Sequence, residues 1–335
     1  MPTAPTWTPF APVPGLPPLT PGVLAEILDG GQAFRWHRAP DSDVGAVSSS
    51  RADSAIWRGQ WSDHTALLRR TSTGALEWSA PAQLAPRVGA ALPRYLAADR
   101  DWLALSDSLP WRSDAHLAQC LAAFPGLRIL RQPFGETLLG FLCSATKQIV
   151  QIKQMLALLA ERHGSTSHCR AGSPNPAGSD LPRVEAAGFG DPALHFHRLP
   201  TWPELAALPE ANLRACQFGF RAGFIHGTAQ FLAARPGWLE EIETLPYPAA
   251  KARLLELPGV GEKIADCVLL FGAGRLEAFP VDTWILQAMA ARYGLTGWKP
   301  AQVAQFGRAH FGPLAGLAQQ FLFAHERRAA KGAAG

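Results

Sequence analysis

Two periodicities divide the chain. In the first hundred residues, apolar positions tend to recur every second residue, as in residues 55–61 (AIWRGQW) and 65–71 (TALLRRT). The second run is followed by a Ser-Thr-Gly turn and then residues 75–78 (ALEW), the pattern of an antiparallel hairpin. From about Tyr95 the period lengthens. Residues 136–143 (ETLLGFLC) and 149–159 (IVQIKQMLALL) repeat apolar side chains at three- and four-residue spacing, which predicts helices. The expected class is therefore α+β, with an antiparallel β-rich domain over 1–100 packed on a mainly helical domain over 101–328. Residues 163–203, dense in Gly, Ser, Pro and His, are too polar and interrupted to pack and are expected to be an exposed, partly disordered insertion. No repeat of solenoid type is present in the sequence.

Composition narrows the classes without choosing among them. With 335 residues, 47% of them hydrophobic, the chain has material for one or two cores. The formal net charge of +4 is compatible with an anionic partner but is far below histone-like density. The five cysteines (Cys120, Cys143, Cys169, Cys216 and Cys267) are scattered and form no C-x-x-C pair, so neither a disulfide framework nor a zinc or iron–sulfur site is suggested. No metal or other cofactor is expected. The opening MPTAPTWTPFAPVPG lacks the features of a leader, and no run reaches about 18 apolar residues; the expectation is a cytoplasmic protein with no membrane partner.

The candidate chemistry lies in residues 257–270 (LPGVGEKIADCVLL). The spacing predicts a short helix over 248–257, a Pro-Gly-Val-Gly turn and a second helix from Glu262 to Gly272. Gly259 and Gly261 permit positive φ and leave backbone N–H groups bare at the second helix's N-terminus, a natural seat for a phosphate. An ordinary helix corner, with glycines serving the turn alone, fits equally well at this point. Lys263, Cys267 and Phe271 recur every four residues and share one face, while Ile264, Val268 and Leu269 supply a core stripe. An amine, a thiol and an aromatic ring on a non-core face would suit a pocket for a flat polar ligand. As a nucleophile, Lys263 would have to shed its proton, against an ordinary pKa of about 10.4. The helix N-terminus and desolvation favour that loss, while Asp266, three residues on, would oppose it by pairing with the lysine. Further along, Asp282 in "PVD" stands at the start of another helix, where it would serve as N-cap and, ionised, could also stabilise a cation.

The "LPGVGEKIADC" segment, followed nineteen positions after its lysine by "PVD", resembles the helix-hairpin-helix/Gly-Pro-Asp superfamily of DNA glycosylases. Within it the similarity is to the 8-oxoguanine DNA glycosylases of eukaryotes and their bacterial relatives. Residues 30–36 (GGQAFRW), 126–149 (GLRILRQPFGETLLGFLCSATKQI) and 312–328 (GPLAGLAQQFLFAHERR) extend the resemblance. It implies a bifunctional N-glycosylase and abasic-site lyase acting in base excision repair on duplex DNA that contains oxidised guanine, as a monomer, with the damaged nucleotide flipped into a pocket. By resemblance, Lys263 would attack C1′ and form a Schiff base, with Asp282 stabilising the sugar cation. Cys267 and Phe323 would sandwich the base and Gln319 would bond its Watson–Crick edge. The Gly31 carbonyl would accept the N7–H that distinguishes 8-oxoguanine from guanine. Phe271 and Pro280 would complete the pocket, while Gly259, Gly261 and Ile264 would hold a phosphate. For a bacterial protein this implies association with the nucleoid.

Departures from the family pattern are as informative. Where the family has an asparagine and two arginines against the base opposite the lesion, this chain offers Thr146, Gln151 and the pair Phe220-Arg221, so one arginine contact is missing. Weaker discrimination for cytosine opposite the lesion is expected. Trp284 replaces the histidine that follows the aspartate motif. Two other readings stay open on the residues alone. One is an alkylbase glycosylase of the same fold that uses Asp282 and water, which Lys263 argues against. The other is a non-catalytic hairpin module, which leaves Asp282 and residues 31–36 unexplained. The iron–sulfur branch is disfavoured because no cysteine follows Asp282.

Overall fold

A computed structural model of the chain describes residues 6–39, 55–165 and 197–333. Residues 166–196, which make up most of the expected insertion and include Cys169, lie outside the described residues. Five strands form one antiparallel sheet: β1 (Ala11–Pro12), β2 (Trp36–Arg38), β3 (Trp57–Trp61), β4 (His64–Arg70) and β5 (Leu76–Ser79), in the spatial order β1-β5-β4-β3-β2. The β4–β5 hairpin is the one the alternating pattern predicts. All five residues of β3 are buried. Gly59 at its centre is required, because a Cβ there would come within 2.2 Å of the Trp36 ring.

The first hundred residues are not β alone. Helix α1 (Pro21–Asp29) opens on Thr20, whose hydroxyl accepts from the Val23 N–H at 3.2 Å, and buries Val23, Leu24, Ile27 and Leu28. Helix α2 (Ala85–Tyr95) contains Gly89 and Pro93, both poor helix formers, and is held by the burial of Val88, Leu92 and Tyr95. The Tyr95 hydroxyl accepts from the Trp36 indole at 2.9 Å and the ring lies 4.7 Å from Trp61, so α2 is locked to the sheet by aromatic packing.

The remainder is helical: α3 (Trp102–Asp107), α4 (Ala115–Ala123), α5 (Phe134–Leu142), α6 (Ile149–His163), α7 (Trp202–Ala207) and α8 (Glu210–Leu213). A π-type turn over Arg214–Phe218 leads to α9 (Arg221–Ala233) and α10 (Trp238–Thr244). The expected hairpin follows as α11 (Tyr247–Leu254) and α12 (Glu262–Phe271), then α13 (Thr283–Tyr293), α14 (Pro300–Phe311) and α15 (Ala315–Ala333). None of these helices is long and apolar enough to cross a membrane.

Three clamps bring the two halves together at one place. The side-chain amide of Gln32 donates to the Arg128 carbonyl at 2.9 Å and accepts from the Leu130 N–H at 3.0 Å. Gln132 donates from its side chain to the Gln32 carbonyl at 2.6 Å and from its backbone to the last residue of α12, Phe271, at 2.8 Å. Lys153 of α6, itself buried, reaches Asp29 at the end of α1 and the Trp36 carbonyl at 2.6 Å. The 30–36 segment is thereby fixed beside the hairpin although more than two hundred residues separate them in sequence.

Candidate active site

A cleft of about 1640 Å³ opens where these clamps converge. That exceeds the range of about 300–1,000 Å³ common for small-ligand pockets and suits a groove for a polymer. Its walls bring together Gly31, Thr146, Gly259, Gly261, Lys263, Ile264, Asp282 and Phe323, all candidates from the sequence; Phe141, Ser144 and Trp284 line it as well. Arg38, Lys147 and Arg327 also line it.

Lys263, the second residue of α12, is half-buried. Its Nζ donates to the Ser144 hydroxyl at 3.0 Å and stands 5.1 Å from the centre of the Phe141 ring. Ser144 in turn donates to the Phe141 carbonyl at 2.7 Å, so toward the lysine its oxygen acts as acceptor. The Cys267 thiol, one turn along α12, adds a further hydrogen-bonding contact to Lys263. Burial pushes that thiol up to about 12, an effect the nearby lysine charge only partly offsets, so Cys267 presents a neutral S–H. These immediate partners of Lys263 are uncharged.

The pairing of Lys263 with Asp266 that the i,i+3 spacing left open does not occur. Asp266 is buried between α12 and α11, where it accepts from the Tyr247 hydroxyl at 2.7 Å and pairs with Lys251 at 3.0 Å. The i,i+3 spacing pointed at the lysine, but the aspartate lies on the side of α12 that faces α11, and Lys251 there supplies the counter-charge.

Asp282 caps α13 by accepting from the Ile285 N–H at 2.9 Å. Burial raises its carboxyl above the ordinary aspartate range; the Ile285 N–H and the Lys263 charge pull in the other direction. The helix N–H groups that the residue caps and the Lys263 charge favour the same ionised state.

The glycines separate into two kinds. Gly259 has φ +78°, and a Cβ there would meet the Cβ and Cγ of Phe224 at 2.6 Å, so packing within the protein demands it. Gly261 has φ −100°, and a Cβ there would meet nothing within 4 Å, so no protein atom accounts for its lack of a side chain. Gly31, at φ +102°, would bring a Cβ to 3.0 Å from Ile149 Cδ1 and 3.9 Å from the Phe323 ring. The backbone of Gly31 therefore passes close beside Phe323, which also carries the Arg327 guanidinium 5.7 Å from its ring centre.

Other candidates fall outside the cleft wall. Phe271 is not a pocket ring: 2% exposed, it stacks at 5.4 Å on Phe141, and it is Phe141 that faces the cleft. The premise of a non-core face on α12 fails with it, because every residue from Ile264 to Phe271 is buried between neighbouring helices. Gln319 and Pro280 do meet, the amide donating to the Pro280 carbonyl at 3.1 Å and accepting from Gln320 at 2.7 Å, in a buried layer. Gln151 accepts from the Gln148 N–H at 3.1 Å in a capping box and so serves the start of α6. Thr146, at φ +53°, accepts from buried Arg221 at 2.8 Å; the same guanidinium also bonds the Ala145 carbonyl and packs 4.3 Å from the centre of the neighbouring Phe220 ring. Phe220 and Phe224 are both exposed, 55% and 43%, on the side of α9 next to the hairpin.

Ser144 and Phe141 were not singled out from the sequence, although both lie in the 126–149 segment. Their signal there is weak: a serine and a phenylalanine at the end of an apolar helix read as a cap and as core.

The chain is similar to known proteins. Residues 20–138 match the N-terminal domain of 8-oxoguanine DNA glycosylase. The chain is 30% identical to the N-glycosylase/DNA lyase OGG1 of Arabidopsis thaliana over 315 residues, covering 90% of this chain and 76% of that one. It is also 30% identical to a probable N-glycosylase/DNA lyase of Methanothermobacter thermautotrophicus over 233 residues, 67% of this chain and 71% of the other. Among solved structures, the Clostridium acetobutylicum 8-oxoguanine glycosylase/lyase in complex with double-stranded DNA containing cytosine opposite 8-oxoguanine superposes with a TM-score of 0.73. Sequence identity to it is 26%, and 92% of each chain is covered.

Proposed function

The chain belongs to the 8-oxoguanine DNA glycosylase family, and on that footing we propose that Lys263 is the nucleophile with which it excises 8-oxoguanine from duplex DNA and then nicks the strand. The enzyme is a bifunctional N-glycosylase and abasic-site lyase of base excision repair. The observation that carries the assignment of Lys263 is its placement. It is an amine in the first turn of a helix, inside the cleft, with a hydroxyl, a thiol and a ring as neighbours and the Asp282 charge within electrostatic reach.

The free amine adds to C1′ of the damaged nucleotide, and the bond from C1′ to the base breaks with its electron pair leaving on the base. Ionised Asp282 stabilises the positive charge that builds on the sugar during this displacement. The resulting secondary amine on C1′ opens the ring to an imine. Loss of a proton from C2′ then expels the 3′ phosphate, a β-elimination that an activated water could not set up. The bare backbone at Gly261 and the N–H groups of Ile264 and its neighbours hold a phosphate, which fixes the strand relative to the lysine. Phe323 on the cleft wall receives the flipped base, and Cys267 and Gln319, buried outside that wall, meet it once the base has entered. The Gly31 carbonyl accepts its N7–H, where guanine would set acceptor against acceptor.

Opposite the lesion, Arg221 is buried and already bonded to the loop that carries Thr146, and Gln151 is committed to its helix cap. We read this as supporting weaker selection for cytosine than a site with free arginine and asparagine contacts would give. The enzyme is further read as a monomer working at the nucleoid in the cytoplasm; light scattering at micromolar concentration checks the first point.

One experiment tests the central assignment. Duplexes with 8-oxoguanine opposite each of the four bases are incubated with the enzyme, with and without borohydride, for wild type and Lys263→Gln. Wild type is expected to release base and to give a trapped adduct, and the variant to give neither while still binding DNA. Release of base by the variant, or no adduct with wild type, overturns the role of Lys263. A sharp cytosine preference would overturn the reading of the opposite base alone.

A further inference from the structure

We propose that His116, Cys120 and His325, completed by the carboxylate of Glu326, form a structural zinc site that ties α4 to α15. His116 and Cys120 stand one helical turn apart on α4, and the His116 Nε2 lies 3.7 Å from the Cys120 sulfur. His325 faces them from α15, its ring edge-on to that of His116 at 5.4 Å, and the donor atoms of the three residues all lie within 4.8 Å of one another. Glu326 brings its Oε1 to 3.2 Å from His116 Nε2.

These separations have the scale of a tetrahedral site. Zinc bonds of about 2.0 Å to nitrogen or oxygen and about 2.3 Å to sulfur place neighbouring ligands about 3.3 Å apart for N and O and about 3.5 Å for N and S. A metal-free cluster is the rival account, in which Glu326 Oε1 pairs with both His116 and Arg292 at 3.2 Å and the thiol contacts the His116 ring at 3.7 Å. It leaves the buried Nδ1 of His325 with no hydrogen bond among the described residues and only a 3.8 Å contact to Glu326 Oε1, whereas a metal gives that nitrogen a bond. A set of one sulfur and two imidazoles selects zinc over the oxygen-seeking divalent ions. Binding through the Cys120 sulfur is as the thiolate, so the thiol proton leaves to solvent as the metal–sulfur bond forms.

The sequence conceals this grouping, because its cysteines lack a C-x-x-C pair and the partner of His116-x-x-x-Cys120 lies at the far end of the chain. None of the four residues lines the DNA cleft, so the site is structural. Its consequence for function is indirect: α15 also carries Gln319 and Phe323, and a metal at His325 anchors that helix two residues beyond Phe323.

The test uses the untagged full chain. Zinc content is measured after exhaustive dialysis, cobalt(II) is then substituted for zinc, and melting is followed with added zinc and with chelator. One zinc per chain is expected, together with a thiolate-to-cobalt absorption in the near ultraviolet and a melting temperature that falls on chelation. Cys120→Ser should lose the thiolate band. His325→Ala, at a half-exposed position chosen to preserve the fold, should lose stoichiometric zinc and the response to chelator, while Cys216→Ser keeps both. Equal zinc uptake by wild type and His325→Ala would mean an adventitious ion only. Either that result or the absence of a thiolate band in cobalt-loaded wild type overturns the proposal.

Discussion

The Nζ of Lys263 and the hydroxyl of Ser144 are 3.0 Å apart, and the serine's own proton is directed to the Phe141 carbonyl. Ser144 therefore holds the lysine by accepting from it, which aims the amine across the cleft from the α5 end. Ser144→Ala removes this tether. A hydrogen bond to a charged group contributes about 1.5–3 kcal/mol, and loss of aim at the lower end of that range corresponds to about a tenfold slower step. Single-turnover excision should fall by about that factor with unchanged affinity for lesion duplex in a titration. Wild-type rates in Ser144→Ala would show that the tether does not position the amine.

The two hairpin glycines should fail differently. Gly259→Ala forces a methyl onto Phe224 at a positive φ, so it should lower the melting temperature and displace the exposed Phe220–Phe224 pair. Gly261→Val meets open space at an ordinary φ, so it should leave melting nearly unchanged and weaken duplex binding by obstructing a close-approaching phosphate. Thermal denaturation and a binding titration on both variants check the contrast. Equal loss of stability in the two would remove the case for a ligand at Gly261.

Asp282 gives a pH-dependent outcome whose sign can be worked out. Its folded-state carboxyl is raised above the unfolded value of about 3.9, so between those values the folded protein binds more protons than the unfolded one. Wild-type stability accordingly falls as pH rises through that window and stays reduced above it. Asparagine keeps the cap to Ile285 without the buried charge. Asp282→Asn should thus melt at or above the wild-type temperature at pH 7.5, with the advantage vanishing below about pH 4, while base excision is lost. A variant less stable than wild type at pH 7.5 would show that the ionised carboxylate is net stabilising there.

What the sequence made legible was local. The period-two runs located the β4–β5 hairpin, the Pro-Gly-Val-Gly turn located α11 and α12, and Asp282 was readable as a cap from its place before an apolar helix. Helix α1 was also readable, since Thr20-Pro21 is an N-terminal signal, but its neighbours' turn-rich composition masked it. Helix α2 was not, because its Gly89 and Pro93 argue against helix and only burial on the sheet holds it. Partnerships across the chain were legible only through family resemblance: Gly31 beside Phe323 depends on the Gln32 clamp and on Lys153, which no short window contains. Asp266 shows the converse, in which a lysine near in sequence drew attention from Lys251, fifteen residues away in sequence and adjacent in space.

That misplaced partner makes a final prediction. Lys251 joins the Asp266 carboxylate at 3.0 Å, the Tyr247 hydroxyl donates to it at 2.7 Å, and the aspartate side chain is only 2% exposed. The cluster spans α11 and α12, so it sets the angle of the hairpin that carries Lys263. Removing one partner of a buried pair strands the other charge, at a cost of about 3–5 kcal/mol, more than the pair itself contributes. Lys251→Met should therefore destabilise the protein by about that amount in urea denaturation. Asp266→Asn in the Lys251→Met background should recover part of the loss, because it neutralises the stranded carboxylate and leaves a side chain that can still bond Tyr247. Additive losses in the double variant would mean that Lys251 stabilises the hairpin through Glu262, with which it also pairs at 2.6 Å, and not through Asp266.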